Sequence, residues 1–358
     1  MFTNPSIDPR SSRRRLAPVA AILGAGLIGL TGCGDGSDAN SAAAAAVGAQ
    51  TTVATAAQPT TPPMTEAPAT TTTTPATTTT TPATTAPATT VTPVVTSEPA
   101  INRRPTGPLD GSFGPEGSQV HIRCAGQGAA TVLLVAGFEA GSESWVGIEP
   151  ALSQVARVCT YDRPGTGASD PPTSIQTFLT QASDLHDLLT IAGEPGPYVV
   201  VGHSFGGAEA AMFASRFVDD VAAMVLVDAS PIAWPAAICG VTDDGSAAAA
   251  TVRGLCQSWS DPTGNLEHLD VFTAFDQATA IASLGSLPMT VITAVDRSMP
   301  AGLAADELAR LTAAWNAGQD GWQQLSTNSR LVSVANASHQ IQLDHPELVI
   351  DEIVRLLP

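Results

Sequence analysis

The sequence has no lysine, and its 15 arginines face 33 acidic residues, which gives a formal net charge of −18. Removing residues 1–32 as a targeting segment takes away four arginines and one aspartate and makes the charge −21. A chain this acidic repels the phosphates of nucleic acids and anionic lipid headgroups. We therefore expect no nucleic-acid partner and no electrostatic docking to anionic membranes.

The amino-terminal apolar run, residues 16–30, is too short to span a bilayer, since a spanning helix needs about 20 residues. It follows a basic stretch, residues 10–15, and precedes small residues that end at Cys33, a pattern typical of a secretory signal. The end of the run, Leu30-Thr31-Gly32-Cys33, resembles the bacterial lipobox. The resemblance implies cleavage before Cys33 and a diacylglycerol group on its sulfur. We expect an exported protein anchored by Cys33 to the outer face of the cell membrane, the alternative being simple secretion.

Large apolar side chains are scarce from Thr51 to Val95, where nearly every residue is Thr, Ala or Pro. Such a stretch cannot form a core. Residues 33–105 are therefore predicted to be the lipidated cysteine followed by a disordered linker, which would lift the rest of the chain from the membrane, into a cell wall if one is present. Residues 106–358 are close to the upper size limit for one hydrophobic core. We expect one monomeric domain there.

No Cys-x-x-Cys pair occurs, so the sequence gives little support to a metal or redox site. Apart from Cys33 four cysteines remain, an even number that suits disulfides in an oxidising compartment. We favour Cys124 with Cys159, because both lie in apolar, strand-like segments. We favour Cys239 with Cys256, because they are close in sequence. Two other sets of pairs are compatible with the count.

Short apolar runs rich in β-branched residues alternate with helix-like stretches. The strand-like runs are residues 121–124, 131–135, 155–161, 198–201, 222–227, 289–294 and 330–334, and the helix-like stretches are 175–192, 207–217, 304–317 and 346–357. The alternation predicts an α/β fold with a mainly parallel sheet covered by helices on both faces. The first two runs suggest a hairpin. In parallel sheets the chemistry lies at the carboxyl ends of the strands.

One strand-like run ends in Gly202-His203-Ser204-Phe205-Gly206, and a helix-like stretch follows. This is the G-x-S-x-G nucleophile elbow in its strand–turn–helix context. The glycines flank Ser204 because larger side chains would clash in so tight a turn. The turn presents the Ser204 hydroxyl at the amino terminus of the helix.

From about His121 to Leu357 the domain resembles the α/β-hydrolase family. Besides the elbow, the resemblance rests on residues 132–138 (VLLVAGF) followed by Trp145, on 161–169 (YDRPGTGAS) and on 338–346 (SHQIQLDHP). It implies an eight-stranded type of sheet, and a cap insertion that we assign to residues 229–287. The usual His-Gly before the oxyanion loop is Ala136-Gly137 here, which affects the loop but not the expected catalytic triad.

A serine nucleophile needs a nearby base and a carboxylate that orients the base. We expect His339 to be the base, because it follows the last predicted strand and precedes the terminal helix. His345 is the alternative. The remaining histidines are expected to point elsewhere or to be surface or structural residues: His121, His186, His203 and His268.

The resemblance places the acid between the serine and the histidine in chain order. Asp296 and Asp228 both follow strand-like runs in that interval. We favour Asp296, because the family most often has its acid after the seventh strand, and keep Asp228 as the alternative. The two oxyanion donors are expected to be the backbone N–H groups of Phe138 and Phe205.

These residues together predict a serine hydrolase that cleaves a carboxylic ester through an acyl-enzyme, without a metal or organic cofactor. The serine excludes the related dehalogenases and epoxide hydrolases, which have aspartate at the elbow. The substrate is expected to be a small or lipid-like ester. An amidase or peptidase and a carbon–carbon bond hydrolase are alternatives, and a non-catalytic binding lipoprotein is a second one.

Overall fold

The structure is a computed structural model that describes residues 105–297 and 299–358. The predicted signal segment, Cys33 and nearly all of the predicted linker lie outside the described residues. Among the helices of the described part, none is long and apolar enough to cross a membrane.

Eight strands form one sheet in the order β1-β2-β4-β3-β5-β6-β7-β8. The strands are β1 (Leu109–Phe113), β2 (Val120–Ala125), β3 (Thr131–Val135), β4 (Arg157–Asp162), β5 (Tyr198–His203), β6 (Val221–Val227), β7 (Met289–Ala294) and β8 (Ser329–Val334). The β1–β2 and β2–β4 pairs are antiparallel, and all other pairs are parallel. The predicted mainly parallel sheet is confirmed.

The predicted hairpin of β2 and β3 is wrong, because β4 lies between these strands and β2 pairs with β1 instead. Strand β1 has no apolar run: its residues alternate between partly buried and exposed, as expected of a strand at the edge of a sheet. Only its pairing with β2 makes this segment extended. A short connection between two apolar runs therefore did not indicate that they are neighbours.

Nine α-helices occur in the described residues: α1 (Glu149–Leu152), α2 (Phe178–Ala192), α3 (Phe205–Arg216), α4 (Trp234–Cys239), α5 (Ala247–Ser260), α6 (Val271–Ala278), α7 (Ala305–Gln324), α8 (Ile341–Asp344) and α9 (Pro346–Val354). Helix α2 begins at a reciprocal cap between Thr177 and Thr180 and ends at Gly193, which has φ +72°. Such a cap satisfies backbone donors that the first turn leaves unpaired. A glycine takes the left-handed conformation that ends the helix without a steric penalty.

Both faces of the sheet are covered, as predicted. On β5, Val200 belongs to a core that includes Phe213 of α3. Its neighbours Val199 and Val201 belong to a second core that includes Trp145. All six residues of β5 are buried, because side chains alternate between the two faces of a strand and each face has a core.

Two disulfides occur among the described residues, and both match the favoured pairs. Cys124 and Cys159 lie opposite each other on β2 and β4 and are bonded there. Cys239 at the end of α4 is bonded to Cys256 within α5. The predicted pairing is confirmed.

The segment that we assigned as a cap, residues 229–287, carries α4, α5 and α6 between β6 and β7. It packs on the sheet domain through aromatic rings, since Trp259 and Phe275 both contact Phe205 at the start of α3. Helices therefore cover the position that follows Ser204. The name cap segment is used below for residues 229–287.

Candidate active site

Ser204 stands at a sharp turn between β5 and α3, with φ +55° and ψ −126°. A residue other than glycine rarely adopts this backbone conformation, which persists only where the surrounding structure holds it. The flanking glycines are part of those surroundings. A Cβ atom on Gly202 would lie 2.3 Å from the carbonyl oxygen of Gly206, and one on Gly206 would lie 2.2 Å from that of Ala136. Only glycine fits at either position, so the turn depends on both.

Ser204, His339 and Asp228 form one hydrogen-bonded chain. Nε2 of His339 lies 2.9 Å from Oγ of Ser204, and Nδ1 of the same ring lies 2.7 Å from Oδ2 of Asp228. The carboxylate can only accept, so Nδ1 carries the proton and Nε2 is free to accept the serine proton. The three residues are 6%, 9% and 0% exposed. This is the arrangement of nucleophile, base and orienting acid in a serine hydrolase.

The preference for Asp296 as the acid is corrected by this geometry. Oδ2 of Asp296 accepts from the backbone N–H of Asn336, 2.8 Å away, in an exposed position. Asp228 directly follows β6 and reaches His339 from there. The end of β7 supports this acid, since the backbone N–H of Ala294 donates to Oδ1 of Asp228 over 3.2 Å.

The two expected oxyanion donors flank the nucleophile. Phe205 is the first residue of α3, and Phe138 lies in the loop after β3. That loop approaches closely, because a Cβ atom on Gly137 would lie 3.3 Å from Cβ of Ser204. Within the described residues neither Phe138 nor Phe205 has an acceptor for its backbone N–H. Two unpaired N–H groups beside a nucleophile suit a developing oxyanion, and the positive end of the α3 dipole adds to the effect.

Residues 130–238 match the family model described as the alpha/beta hydrolase fold. The match spans the Phe138 loop, the elbow and Asp228. The domain has the α/β-hydrolase fold. Among relatives, the uncharacterized protein YqjL of Bacillus subtilis is 24% identical over 224 residues, which cover 63% of this chain and 82% of YqjL. Rv2715 of Mycobacterium tuberculosis is 34% identical over 111 residues, which cover 31% of this chain and about a third of Rv2715.

Two solved structures show the same fold as this domain. Cfl2 of Burkholderia cenocepacia has a TM-score of 0.51 at 20% identity, covering 73% of this chain and 98% of Cfl2. A probable hydrolytic enzyme of Pseudomonas aeruginosa PAO1 has a TM-score of 0.51 at 19% identity, covering 72% of this chain and 96% of that one. At this identity the likeness establishes the fold alone.

Asp228 is held by an arginine as well as by the histidine. Nε of Arg297 donates to Oδ2 over 2.9 Å, and the same guanidinium lies 4.2 Å from the centre of the Trp315 ring. The indole N–H of Trp315 also donates to Asp228, over 3.3 Å. Burial alone would raise the pKa of Asp228, but His339 and Arg297 outweigh it and hold the pKa below its ordinary value. The carboxylate therefore stays ionised.

The other histidines of the domain do not reach Ser204 as a base. His345 is half-buried, and its Nε2 lies 3.1 Å from the carbonyl oxygen of Asn336. His203 is buried, and its Nε2–H donates to the carbonyl oxygen of His339 over 2.9 Å. Burial and the nearby His339 ring lower the pKa of His203 to about 3, so it is neutral. The three other histidines form hydrogen bonds elsewhere. The ring of His121 bonds to Asp110, the ring of His186 bonds to Asp220, and the carbonyl oxygen of His268 accepts from the backbone N–H of Gln176.

Sequence reasoning missed three residues of the site. Oγ of Ser230 lies 3.3 Å from Oγ of Ser204, and its backbone N–H donates to the carbonyl oxygen of Ser204 over 3.0 Å. Arg297 and Trp315, which hold Asp228, are the others. Ser230 follows Asp228 by two residues, so a search of the sequence next to the acid could have found it. Arg297 and Trp315 lie 69 and 87 residues after Asp228, and no local pattern connects them with it.

One cluster in the described part brings together three residues of metal-ligating types, namely Cys124, Cys159 and Glu194. Both sulfur atoms are already bonded to each other in the disulfide. A thiolate is the form of cysteine that binds metals, so this cluster is not a metal site.

Proposed function

We propose that the domain is a serine hydrolase that cleaves carboxylic esters through an acyl-enzyme at Ser204. The observation that carries the proposal is the buried chain of hydrogen bonds from Asp228 through His339 to the Ser204 hydroxyl. A hydroxyl placed against a base that is itself held by a carboxylate is an activated nucleophile. The unpaired N–H groups of Phe138 and Phe205 support the same reaction.

In the proposed reaction Oγ of Ser204 attacks the ester carbonyl as Nε2 of His339 takes the hydroxyl proton. The carbonyl oxygen becomes an oxyanion that accepts from the N–H groups of Phe138 and Phe205. Collapse breaks the bond to the alcohol, which leaves with the proton from His339. Water then attacks the acyl-enzyme, with His339 again as base, and releases the acid and the free serine. Asp228 stabilises the imidazolium in both halves.

The cap segment supports an ester with an apolar group. A cavity of about 190 Å³ lies between α4, α5 and residues 300–301. None of the residues around it is charged: Trp234, Ile238, Ala248, Thr251, Val252, Leu255, Pro300 and Ala301. Trp234 packs edge-on against Trp315 with 4.7 Å between ring centres, and Trp315 packs in the same way against His339 over 5.4 Å. An uncharged hydrocarbon group suits this wall, which is linked to the base through the ring of Trp315.

A fluorophosphonate probe and a series of p-nitrophenyl esters test the proposal. We expect the probe to label the wild-type protein at Ser204 and the esters to be turned over, with both lost in Ser204→Ala. A peptide panel run in parallel distinguishes an esterase from a peptidase. Absence of both labelling and turnover in a folded wild-type protein would instead favour the non-catalytic binding lipoprotein.

We further propose that the protein is exported and anchored through Cys33, with the Thr- and Pro-rich linker between anchor and domain. The proposal rests on the lipobox-like Leu30-Thr31-Gly32-Cys33. A diacylglyceryl group supplies two acyl chains, which is enough for stable anchoring. Mass spectrometry of the mature amino terminus should find Cys33 with lipid mass, and Cys33→Ala should abolish it. A terminus at another residue, without lipid, would indicate simple secretion.

A further inference from the structure

Arg163 lies just after β4, buried between the Phe138 loop, α3 and the cap segment. Its guanidinium makes five hydrogen bonds, as many as it has N–H groups. Two go to the carboxylate of Glu267, over 2.8 and 2.9 Å, and one goes to Glu209 over 3.3 Å. The other two go to the carbonyl oxygens of Ala136, over 2.8 Å, and of Gly137.

The bond from Arg163 to the Gly137 carbonyl, which also accepts from the backbone N–H of Ala140 over 3.2 Å, helps to fix where the Phe138 N–H points. These two groups belong to one peptide unit, which is planar and trans, so they point in opposite directions. When Arg163 holds the carbonyl oxygen on one side of the loop, the N–H faces the other side, towards Ser204. A charged donor on the carbonyl also polarises the N–H of the same unit and makes it a better donor.

Glu267 brings the cap segment into this arrangement. It is 1% exposed, and besides the two bonds from Arg163 it accepts from the backbone N–H of Glu139 over 2.5 Å and from Nε2 of Gln181 over 3.0 Å. In return, Oε1 of Glu139 accepts from the backbone N–H of Leu266, over 2.9 Å. The loop and the cap segment therefore hold each other through charged hydrogen bonds, which are stronger than neutral ones.

Arg163 also reaches the second donor, because Glu209 lies on α3, one turn after Phe205. Burial acts against the charge of the guanidinium, but Glu267 and Glu209 outweigh it and hold the pKa of Arg163 above its ordinary value. A buried charge that loses its partner is strongly destabilising, so each member of the network depends on the others. Glu267 supplies the part of it that belongs to the cap segment.

We propose that Glu267 is a positioning residue which, through Arg163, orients the Phe138 N–H for the oxyanion, so that the seating of the cap segment sets the strength of the oxyanion hole. This inference rests on the proposed serine hydrolase function. Glu267 itself touches no reacting atom. Its effect is expected on the transition state more than on substrate binding.

The chain offers a matched control in the ion pair of Arg157 and Glu194. Nε of Arg157 donates to Glu194 over 3.1 Å, and its Nη1 donates to the carbonyl oxygens of Gly107 and Gly126. Both partners are 1% exposed, as Glu267 is. Arg157 is the first residue of β4, whereas Arg163 follows its last residue. The control pair therefore lies at the amino end of the strand, and the site lies at its carboxyl end. The two pairs share chemistry and burial but not location.

The test compares Glu267→Gln with Glu194→Gln in the full chain. We expect similar losses of thermal stability in both, but a kcat lower by about 10-fold or more only in Glu267→Gln, with KM within a few-fold of the wild type; removing an oxyanion donor outright costs about 10²- to 10³-fold. Affinity for a trifluoromethyl ketone, which forms a tetrahedral oxyanion on the serine, should fall by the same factor as kcat. A merely structural role would lower the stability of the protein but leave the ketone affinity of the folded enzyme at the wild-type value.

If Glu267→Gln does not fold, Arg163→Lys provides the same comparison, since it keeps the charge but loses the forked contacts to the loop carbonyls. The inference is overturned if kcat and ketone affinity stay at the wild-type level, or if Glu194→Gln loses as much. A wild-type protein without ester turnover and without labelling of Ser204 would instead overturn the proposed function, which is a different pattern of results.

Discussion

Nδ1 of His339 lies 2.7 Å from Oδ2 of Asp228, although 111 residues separate them in the chain. The histidine comes from the loop between β8 and α8, and the aspartate from the end of β6. Strand β7 lies between β6 and β8 in the sheet, and its last residue supports the carboxylate by a backbone hydrogen bond. The acid of this site is thus selected by the positions of three neighbouring strand ends.

The first prediction concerns that acid. Asp228→Asn should lower kcat by about 10⁴-fold, because an amide neither holds the required tautomer of His339 nor stabilises the imidazolium. Asp296→Asn should leave kcat near the wild-type value, since the Asp296 carboxylate hydrogen-bonds within the described residues to the backbone of Asn336 and not to His339. Turnover of a p-nitrophenyl ester measures both, at a temperature where circular dichroism shows both variants folded. A larger loss in Asp296→Asn would restore Asp296 as the acid.

The second prediction concerns the base. His339→Ala should lower kcat by at least about 10⁴-fold with little change in stability, because no other imidazole of the described residues hydrogen-bonds to the hydroxyl of Ser204. His345→Ala is the matched control, since that ring lies six residues further on and contacts the carbonyl of Asn336. If His345→Ala lost more activity than His339→Ala, the geometry of the site would be wrong.

The third prediction concerns the dependence of stability on pH. The pKa of His203 is lowered from 6.5 to about 3 by burial and by the nearby His339 ring, so only the unfolded chain takes up this proton between those values. This contribution is therefore complete above pH 6.5 and declines as the pH falls, by about 1.4 kcal/mol per unit. Between pH 7 and 5 the free energy of unfolding should fall by about 2 kcal/mol less in His203→Gln than in the wild type.

Urea unfolding at pH 7 and pH 5 provides this measurement. A proton-uptake difference appears as a change in midpoint at constant slope, and a change in slope would indicate a different unfolded or native state. Equal losses in the wild type and in His203→Gln would show that His203 titrates in the folded protein near its ordinary value.

The fourth prediction concerns the disulfide of the cap segment. Cys239→Ser/Cys256→Ser should lower the free energy of unfolding by about 3 kcal/mol, as the entropy of a loop of this length requires. The bond joins α4 to α5, next to Ile238 and Leu255 in the wall of the apolar cavity. KM for long-chain esters should therefore rise while turnover of the acetyl ester changes little.

Cys124→Ser/Cys159→Ser is the control for that experiment. Its loop is longer, so we expect an equal or larger loss of stability, of about 4 kcal/mol. It joins β2 to β4, away from the cavity, and the preference for chain length should stay as in the wild type. Identical effects of both double variants on KM would show that the cavity does not take part in substrate binding.

Local sequence patterns were sufficient to predict the structure wherever the interactions that form it are local or repeat along the chain. The elbow is one case, because Gly202 and Gly206 leave room for the turn at Ser204 itself, and any chain with this pattern meets the same steric limits. Strands β3 and β7 were predicted with their observed ends, since continuous apolar runs are typical of strands buried on both faces. The disulfide pairs followed from segment type and spacing.

Strand order and the choice of acid did not follow from pattern. The runs that became β2 and β3 are adjacent in sequence but separated in the sheet, because β4 inserts between them. Asp228 and Asp296 both follow strands, and nothing near either residue says which carboxylate will face the histidine. A resemblance to a family gives the usual position of the acid, and this chain departs from it.

By itself the sequence determined the class of fold, the nucleophile and the histidine motif, because hydrophobic periodicity and tight-turn sterics act over a few residues. Only the tertiary structure decided that Asp228 orients His339, that Arg297 and Trp315 hold Asp228, and that Glu267 reaches Arg163 across 104 residues of chain. The physical reason is that a hydrogen bond forms only within about 3 Å. The packing of strands and helices decides which distant groups come that close. No single segment of the sequence determines this packing.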